Sequence, residues 1–237
     1  MHITTTLLSR LTRRLRPWLA LVLLALPFTA SAARDEPMTE TRHLLIIGAS
    51  YAGEWGQPEL PGYRVTNRGV GGEESWQVAA RFANDALGEK PDVVLIWGHI
   101  NDITRTTPDQ YAAAVERAKA SYRQMLAQAH AAGVPVILAT EITWTTAVGW
   151  RDWHRAALAW LRGKESYAQQ INREVKAINA WLRERAAAEG LPLLDFEQVV
   201  DDGNGGRKPE FTRDDGSHVT PAGYAALTEY ARARLTR

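Results

Sequence analysis

The sequence predicts an α/β fold in which a parallel sheet lies between two layers of helices. Two observations carry this prediction. Short apolar runs alternate with longer amphipathic stretches, and most of the runs are apolar throughout, as strands buried on both faces should be. The predicted strands cover residues 44–47, 63–67, 93–97, 134–139 and 191–196. Ligands of such three-layer sandwiches bind at the carboxyl ends of the strands.

Proline, glycine and capping residues mark where several of these elements begin and end. Pro192 has no amide hydrogen to offer a neighbouring strand, so the last strand is expected at an edge of the sheet. A helix over residues 164–189 should end at Gly190, which suits the left-handed position after a helix. Thr220 and Pro221 predict the start of the last helix as a cap followed by a first-turn proline.

A further long helix is predicted over residues 108–132, where apolar side chains recur on one helical face. Thr107, Pro108 and Gln110 stand at the positions of an N-cap, a first-turn proline and a capping-box partner. Gly133 suits its carboxyl end. No internal repeat or low-complexity linker interrupts the chain, which favours one domain.

The first 32 residues have the order of a secretory signal peptide. Four arginines precede an apolar run over residues 18–28, and small residues follow through Ala32. The run is shorter than the roughly 20 residues that a bilayer requires, which favours cleavage before Ala33 over a retained membrane anchor. We therefore expect a signal peptide at 1–32, a flexible leader at 33–42, a single folded domain at 43–237, and a periplasmic or secreted protein without a stable membrane anchor.

Composition excludes several classes of function. Removal of residues 1–32 leaves 24 basic and 27 acidic side chains, a net charge of −3, and no block of Lys and Arg. Such a surface argues against nucleic acid or an anionic membrane as a partner. The chain has no cysteine, which rules out disulfides, thiol nucleophiles and thiolate metal sites. Its histidines show no metal-ligand spacing, so neither a metal nor a cofactor is predicted.

Two segments at predicted strand ends carry residues suited to acyl transfer. Gly48-Ala49-Ser50 directly follows the first strand and places a serine at a strand-to-helix turn, although taken alone this serine reads as a helix cap. A glycine-rich segment over residues 67–73 follows the second strand, where close backbone approach and a free amide are available. Alternatively, this glycine-rich segment is only a flexible turn. A phosphate loop is excluded because the Gly-Lys-Ser/Thr ending is absent.

Two further segments complete the set. After the third strand, Asn101 in residues 98–102 can supply a neutral amide donor, although a loop asparagine can equally satisfy the backbone. Near the carboxyl terminus, Asp215 and His218 are three residues apart on a loop. A carboxylate at that spacing can fix the imidazole tautomer while the other ring nitrogen faces the serine. Each segment alone has an ordinary structural explanation, but their order along successive strand ends does not.

In this order and spacing, the four segments resemble those of the SGNH hydrolases, also called GDSL-like esterases and lipases, over nearly the whole mature chain. The resemblance implies a five-stranded parallel sheet in flavodoxin-like order and a serine esterase that acts through an acyl-enzyme. It implies Ser50 as nucleophile, Asp215 and His218 as its partners, and an oxyanion hole from Ser50, Gly72 and Asn101. The spacing favours Gly72 over Gly71 for this role, without excluding the latter.

Two positions depart from the family pattern. Ala49 stands where the family has the aspartate that braces its active-site loops, and His99 stands where its Gly-x-Asn-Asp segment begins with glycine, with Gly98 one place earlier. The departures keep one alternative open, a carbohydrate-binding relative with weak catalysis. A separate alternative is an O-acetyltransferase that uses the same serine.

Tryptophans near these segments are candidate contacts for the substrate. Trp55, Trp76 and Trp144 offer aromatic faces that suit sugar rings or acyl chains, although packing is the more usual role of such side chains. We expect an acetylated carbohydrate or a short-chain acyl ester as substrate. Residues 143–163 are a hypothetical lid or cleft wall.

Overall fold

The computed structural model describes residues 40–146, 161, 163 and 165–235. The predicted signal peptide, nearly all of the leader and most of the hypothetical lid lie outside these residues. The strands are β1 (Arg42–Gly48), β2 (Tyr63–Gly69), β3 (Val93–Trp97), β4 (Val136–Ala139) and β5 (Leu193–Leu194). The α-helices are α1 (Ser50–Trp55), α2 (Ser75–Asp85), α3 (Ile100–Thr104), α4 (Tyr111–Ala131), α5 (Tyr167–Glu189), α6 (Phe196–Val200) and α7 (Pro221–Leu235).

The five strands form one parallel sheet in the order β2-β1-β3-β4-β5. This is the predicted α/β fold with flavodoxin-like strand order. The central strands are its most apolar segments, and Leu44 to Ile47 of β1 are fully buried. Burial of such a side chain contributes about 1.5–3 kcal/mol. The burial expected for these apolar runs is therefore confirmed for β1.

Helices flank the sheet in two groups. Helices α2, α4 and α5 pack in a row, while α1 and α6 pack with α7. Between α1, α6 and the sheet, the ring of Trp97 lies 5.7 Å from that of Trp55 and 4.8 Å from that of Phe196. In the described part of the chain, no helix is both long enough and apolar enough to cross a membrane.

The edge strand β5 is shorter than predicted, although Pro192 does precede it at the edge of the sheet. The carbonyl of Pro192 accepts the amide of Leu138 at 3.0 Å, so this residue joins the sheet as an acceptor only. The backbone leaves the extended conformation at Asp195, and Phe196 begins a helix. The prediction extended the strand too far because Phe196 is apolar, a property that a buried helix shares with a strand.

The predicted cap of α4 is also corrected by the structure. Residues 108–110 form a single 3-10 turn before the α-helix, and Thr107 makes no side-chain cap. Instead, the hydroxyl of Thr106 donates to Oε1 of Gln110 at 3.0 Å. The Gln110 side chain, which was expected to cap the backbone, is therefore bound to Thr106. At the last helix the prediction is confirmed: the amide of Gly223 donates to Oγ1 of Thr220 at 3.2 Å.

Candidate functional site

The carboxyl ends of three neighbouring strands lie at one level. In the sheet register Gly48 stands opposite both Gly69 and Trp97. Gly48 has no room for a side chain, because a Cβ there would lie 1.7 Å from the carbonyl oxygen of Trp97. The close approach lets the chain turn directly into α1, whose first residue is Ser50. The glycine of this first segment is therefore required by packing.

Asp215 and His218 contact each other as the spacing predicted. Oδ2 of Asp215 lies 2.8 Å from Nδ1 of His218, and Oδ1 accepts the amides of Ser217 and His218, each at 2.8 Å. Hydrogen bonds from the His218 amide and ring and from Ser217 lower the pKa of Asp215, against the opposing effect of burial. A charged carboxylate can only accept, so Nδ1 carries the hydrogen and Nε2 is left as the basic nitrogen.

Nε2 of His218 faces helix α1. It lies 3.7 Å from Oε1 of Glu54, which is one helical turn beyond Ser50 and shares its face of the helix. Glu54 is held there by the guanidinium of Arg213 at 3.0 Å. The structure thus brings the histidine to the face of α1 that carries Ser50, but no hydrogen bond joins these two described residues. In unliganded enzymes, catalytic hydrogen bonds are often long and tighten only with substrate.

Asn101 and the glycine-rich segment are also in contact. Nδ2 of Asn101 donates to the carbonyl of Glu73 at 2.8 Å, which ties the segment after β3 to the segment after β2. Gly72 has a φ of +81°, and a Cβ there would lie 2.7 Å from a guanidinium nitrogen of Arg105. Gly71 is not among the positive-φ residues of the described chain. The turn therefore requires glycine at position 72, and Asn101 reaches the same loop.

A buried carboxylate that the sequence analysis missed fixes the loop after β3. Glu141, at the end of β4, accepts the amides of His99 at 2.8 Å, Ile100 at 3.3 Å and Ile142 at 3.1 Å. Burial raises the pKa of Glu141 to about 7, while these amide donors oppose the rise. The signal available in the sequence was a glutamate two residues after an apolar strand, at the carboxyl edge where the other segments converge.

The two departures from the family pattern fit together in space. A Cβ at Gly98 would lie 2.7 Å from the amide nitrogen of Ala49, so Gly98 provides the close approach between these loops. His99 is fully buried, and its Nδ1 lies 3.3 Å from the hydroxyl of Tyr122. Burial lowers the pKa of His99 to about 3, so its imidazole is neutral near pH 7. His99 is thus a packing residue.

Asp102 connects this loop to the helix after the glycine-rich segment. Its carboxylate accepts both the amide and the hydroxyl of Ser75 at 2.8 Å, which secures the start of α2. Burial raises the pKa of Asp102 to about 6, against these hydrogen bonds. Asp102 therefore links the loop that carries Asn101 to the start of α2.

The three candidate tryptophans have different environments. Trp55 is buried in the core, and its indole donates to Oγ1 of Thr228 at 2.9 Å, so its role as a substrate contact stays a prediction that the packing does not favour. An indole can pack in the core or bind a ligand at the surface, and spacing along the sequence does not distinguish these two roles. Trp76 is 48% exposed, and the half-buried Trp144 packs edge-on against Tyr167 with ring centroids 5.9 Å apart.

Over residues 40–146 and 165–235, no cluster of three or more acidic or histidine side chains could hold a metal ion.

Comparison with known proteins gives a sequence match and a fold match. The sequence model of the GDSL-like Lipase/Acylhydrolase family matches residues 48–226. Among curated proteins, no sequence matches the chain at a significant level.

Solved structures share the fold at low sequence identity. A GDSL-like lipase from Bacteroides thetaiotaomicron VPI-5482 is 21% identical with a TM-score of 0.62, over 86% of this chain and 93% of that one. A lipase/acylhydrolase from Enterococcus faecalis is 21% identical with a TM-score of 0.53, over 82% and 95%. A catalytic mutant of an acetylxylan esterase from Geobacillus stearothermophilus is 19% identical with a TM-score of 0.56, over 83% and 94%.

Proposed function

Because this chain belongs to the GDSL-like lipase/acylhydrolase family, we propose that it is an exported serine esterase in which Ser50, His218 and Asp215 form a catalytic triad. The observation that carries the proposal is the Asp215–His218 pair, joined at 2.8 Å and facing the helix that Ser50 begins. The order of residues 1–32 supports export to the periplasm or the medium.

The reaction follows from the arrangement of these groups. Nε2 of His218 accepts the proton of the Ser50 hydroxyl while Oγ bonds to the ester carbonyl carbon. The imidazolium, stabilised by Asp215, returns the proton to the alkoxy oxygen as that bond breaks and the alcohol leaves. Water then attacks the acyl-serine by the same route, releases the carboxylic acid and restores the hydroxyl.

Negative charge on the carbonyl oxygen is stabilised by the amides of Ser50 and Gly72 and the side-chain amide of Asn101. The contact between Asn101 and the loop of Gly72 supports this oxyanion hole. Removal of one such donor typically costs about 2.7–4 kcal/mol of transition-state stabilisation. Asn101→Ala should therefore lower kcat by roughly two to three powers of ten. Asn204→Ala, on an exposed loop, is the control and should leave kcat unchanged.

The substrate class proposed is an acetylated carbohydrate or another short-chain acyl ester. Half-exposed aromatic faces at Trp76 and Tyr167 suit the faces of sugar rings. The fold likeness to an acetylxylan esterase is in agreement with this choice. A small-molecule or carbohydrate ester is thus the expected partner.

A panel of p-nitrophenyl esters of increasing acyl length, with acetylated xylan, tests the proposal. Wild type should prefer acetyl esters, and Ser50→Ala should lose turnover while it remains folded. Ser166→Ala, at an exposed helix cap, controls for the loss of a serine hydroxyl and should keep wild-type kcat. Hydrolysis of p-nitrophenyl acetate by Ser50→Ala at the wild-type rate would refute the triad.

A carbohydrate-binding role without catalysis is the second candidate. It is favoured by one observation, that Nε2 of His218 faces Glu54 while no hydrogen bond links Ser50 and His218, two residues within the described chain. Labelling separates the candidates. Fluorophosphonate modification of Ser50 that is lost in His218→Ala supports the enzyme, whereas sugar binding without labelling supports the binding protein. Transfer of acetyl groups to a sugar faster than to water would instead indicate an O-acetyltransferase.

A further inference from the structure

The loop that carries His218 is held from below by a buried arginine. Arg207 is fully buried, and its Nη2 donates to the carbonyl oxygens of Ser217 at 2.7 Å and His218 at 3.2 Å, with Gly216 at 3.5 Å. Its Nε donates to Oγ1 of Thr212 at 3.0 Å. One guanidinium therefore holds the carbonyl oxygen of the histidine and that of the residue before it.

The same guanidinium contacts the residue that follows the proposed nucleophile. Its Cζ lies 5.8 Å from the centre of the Tyr51 ring, and the Tyr51 hydroxyl donates to the carbonyl of Ser217 at 2.6 Å. Tyr51 is adjacent to Ser50 in sequence. A short, continuous path of contacts therefore runs from Ser50 through Tyr51 and Arg207 to His218.

The chemistry of this contact requires a guanidinium. Several carbonyl oxygens converge on one side, and arginine offers five donors in a rigid planar fork, whereas lysine offers a point charge. Among the residues whose positions are given, Arg207 has no carboxylate within ion-pair distance, and its Nη1 is buried without a hydrogen-bond partner. A buried cation without a counter-charge is costly for stability. If position 207 served only to fill space, an apolar side chain of the same volume would stabilise the fold more than arginine does.

We propose that Arg207 is a positioning residue for the catalytic histidine: its grip on the Ser217 and His218 carbonyls, together with Tyr51, sets the distance from Nε2 to Ser50. The proposal rests on the proposed triad. It assigns to Arg207 no contact with substrate, so the rate of the chemical step should depend on it while the affinity for the ester should not.

Substitution of Arg207 by methionine and lysine tests this assignment, with acetate release from p-nitrophenyl acetate as the readout well below the melting temperature. Arg207→Met should lower kcat by about a hundredfold with KM within threefold of wild type, as expected for lost alignment of reacting groups. Arg207→Lys should recover part of kcat. The rate of Ser50 labelling by a fluorophosphonate should fall in parallel with kcat.

Arg183 provides the matched control. It makes a two-pronged contact with Asp195, at 2.8 and 2.9 Å, near the β5 edge of the sheet. Arg183→Met should lower the melting temperature and leave kcat unchanged. If Arg207→Met does the same, Arg207 is a structural residue and the proposal is overturned.

A further variant covers the case in which Arg207→Met does not fold. Tyr51→Phe keeps the ring beneath the guanidinium and removes only the hydroxyl that donates to Ser217. It should lower kcat by about tenfold, since one aligning hydrogen bond is lost. Wild-type kcat in both Tyr51→Phe and Arg207→Lys overturns the proposal. Ser50→Ala distinguishes failure of the triad from failure of the positioning role. If Ser50→Ala remains active, the triad is wrong. If Ser50→Ala is inactive while the Arg207 variants keep wild-type kcat, only the positioning role is wrong.

Discussion

Nε2 of His218 lies 3.7 Å from Oε1 of Glu54, a carboxylate one helical turn beyond Ser50. The same Glu54 pairs with Arg213 of the histidine loop at 3.0 Å. Glu54 therefore anchors the loop to α1, and its carboxylate lies beside the nitrogen that the serine hydroxyl must approach.

Removal of this carboxylate should make Ser50 more reactive, because it clears the approach of the serine hydroxyl to Nε2. Glu54→Ala is expected to raise the rate constant for fluorophosphonate labelling of Ser50 about two- to fivefold, because a partly exposed charge contact contributes about 0.2–1 kcal/mol. Arg213→Gln breaks the ion pair but keeps the carboxylate, and it should give no such increase. Equal or slower labelling of Glu54→Ala would show that loop anchoring is the main role of Glu54.

Asp215→Asn should separate the catalytic role of this carboxylate from its structural role. Asparagine can still accept the amides of Ser217 and His218, but it no longer supplies the charge that fixes the imidazole tautomer. We expect kcat to fall by about two to four powers of ten with the fold unchanged. The adjacent, exposed Asp214→Asn is the control. Because the pKa of Asp215 is lowered, its carboxylate stays charged as the pH falls to about 4. A drop of less than threefold in kcat for Asp215→Asn would contradict the triad.

Asp102→Asn should change how stability depends on pH. Burial raises the pKa of Asp102 to about 6, so the folded state holds its proton more tightly than the unfolded state does. The contribution of such an acid is complete below its unfolded pKa, near pH 4, and is lost as the pH rises to about 6. The wild type should therefore lose about 3 kcal/mol of unfolding free energy relative to Asp102→Asn across that window.

Urea unfolding of both proteins at pH 4 and pH 7.5 measures this difference. Asparagine can accept the Ser75 amide and donate to its hydroxyl, so the variant keeps the hydrogen bonds seen with Ser75. Parallel stability curves for the two proteins would show that folding does not raise the pKa of Asp102.

Gly48→Ala should destabilise the protein by about 3 kcal/mol or more, because overpacking against backbone is among the costliest core changes. The added Cβ would stand 1.7 Å from the carbonyl oxygen of Trp97, and neither strand can yield without loss of their pairing. Gly133→Ala is the control. Its φ is +68° but open space surrounds it, so only the left-handed backbone costs free energy, about 1–2 kcal/mol. Similar melting temperatures for the two variants would contradict the close approach.

The sequence predicted the layers, the central strands and the segments that meet at one edge of the sheet, because each depends on local periodicity or on a residue at a strand end. It also predicted the contact between Asp215 and His218, which are three residues apart. It did not predict Glu141 or Arg207, since charged side chains are normally exposed and their partners are distant in sequence. Trp55 was assigned to a ligand surface because local sequence does not tell which side of a short helix is buried.

The side chains of Glu141 and Arg207 both hold main-chain groups, amide N–H groups in one loop and carbonyl oxygens in the other. Every residue except proline carries both groups, so these contacts do not depend on the side chains of the residues that they hold. A histidine can therefore occupy position 99 while Asn101 still reaches the glycine loop. If the proposed triad is correct, the exposed side chains of these loops can be varied to alter ester preference while Glu141 and Arg207 keep the main chain in place.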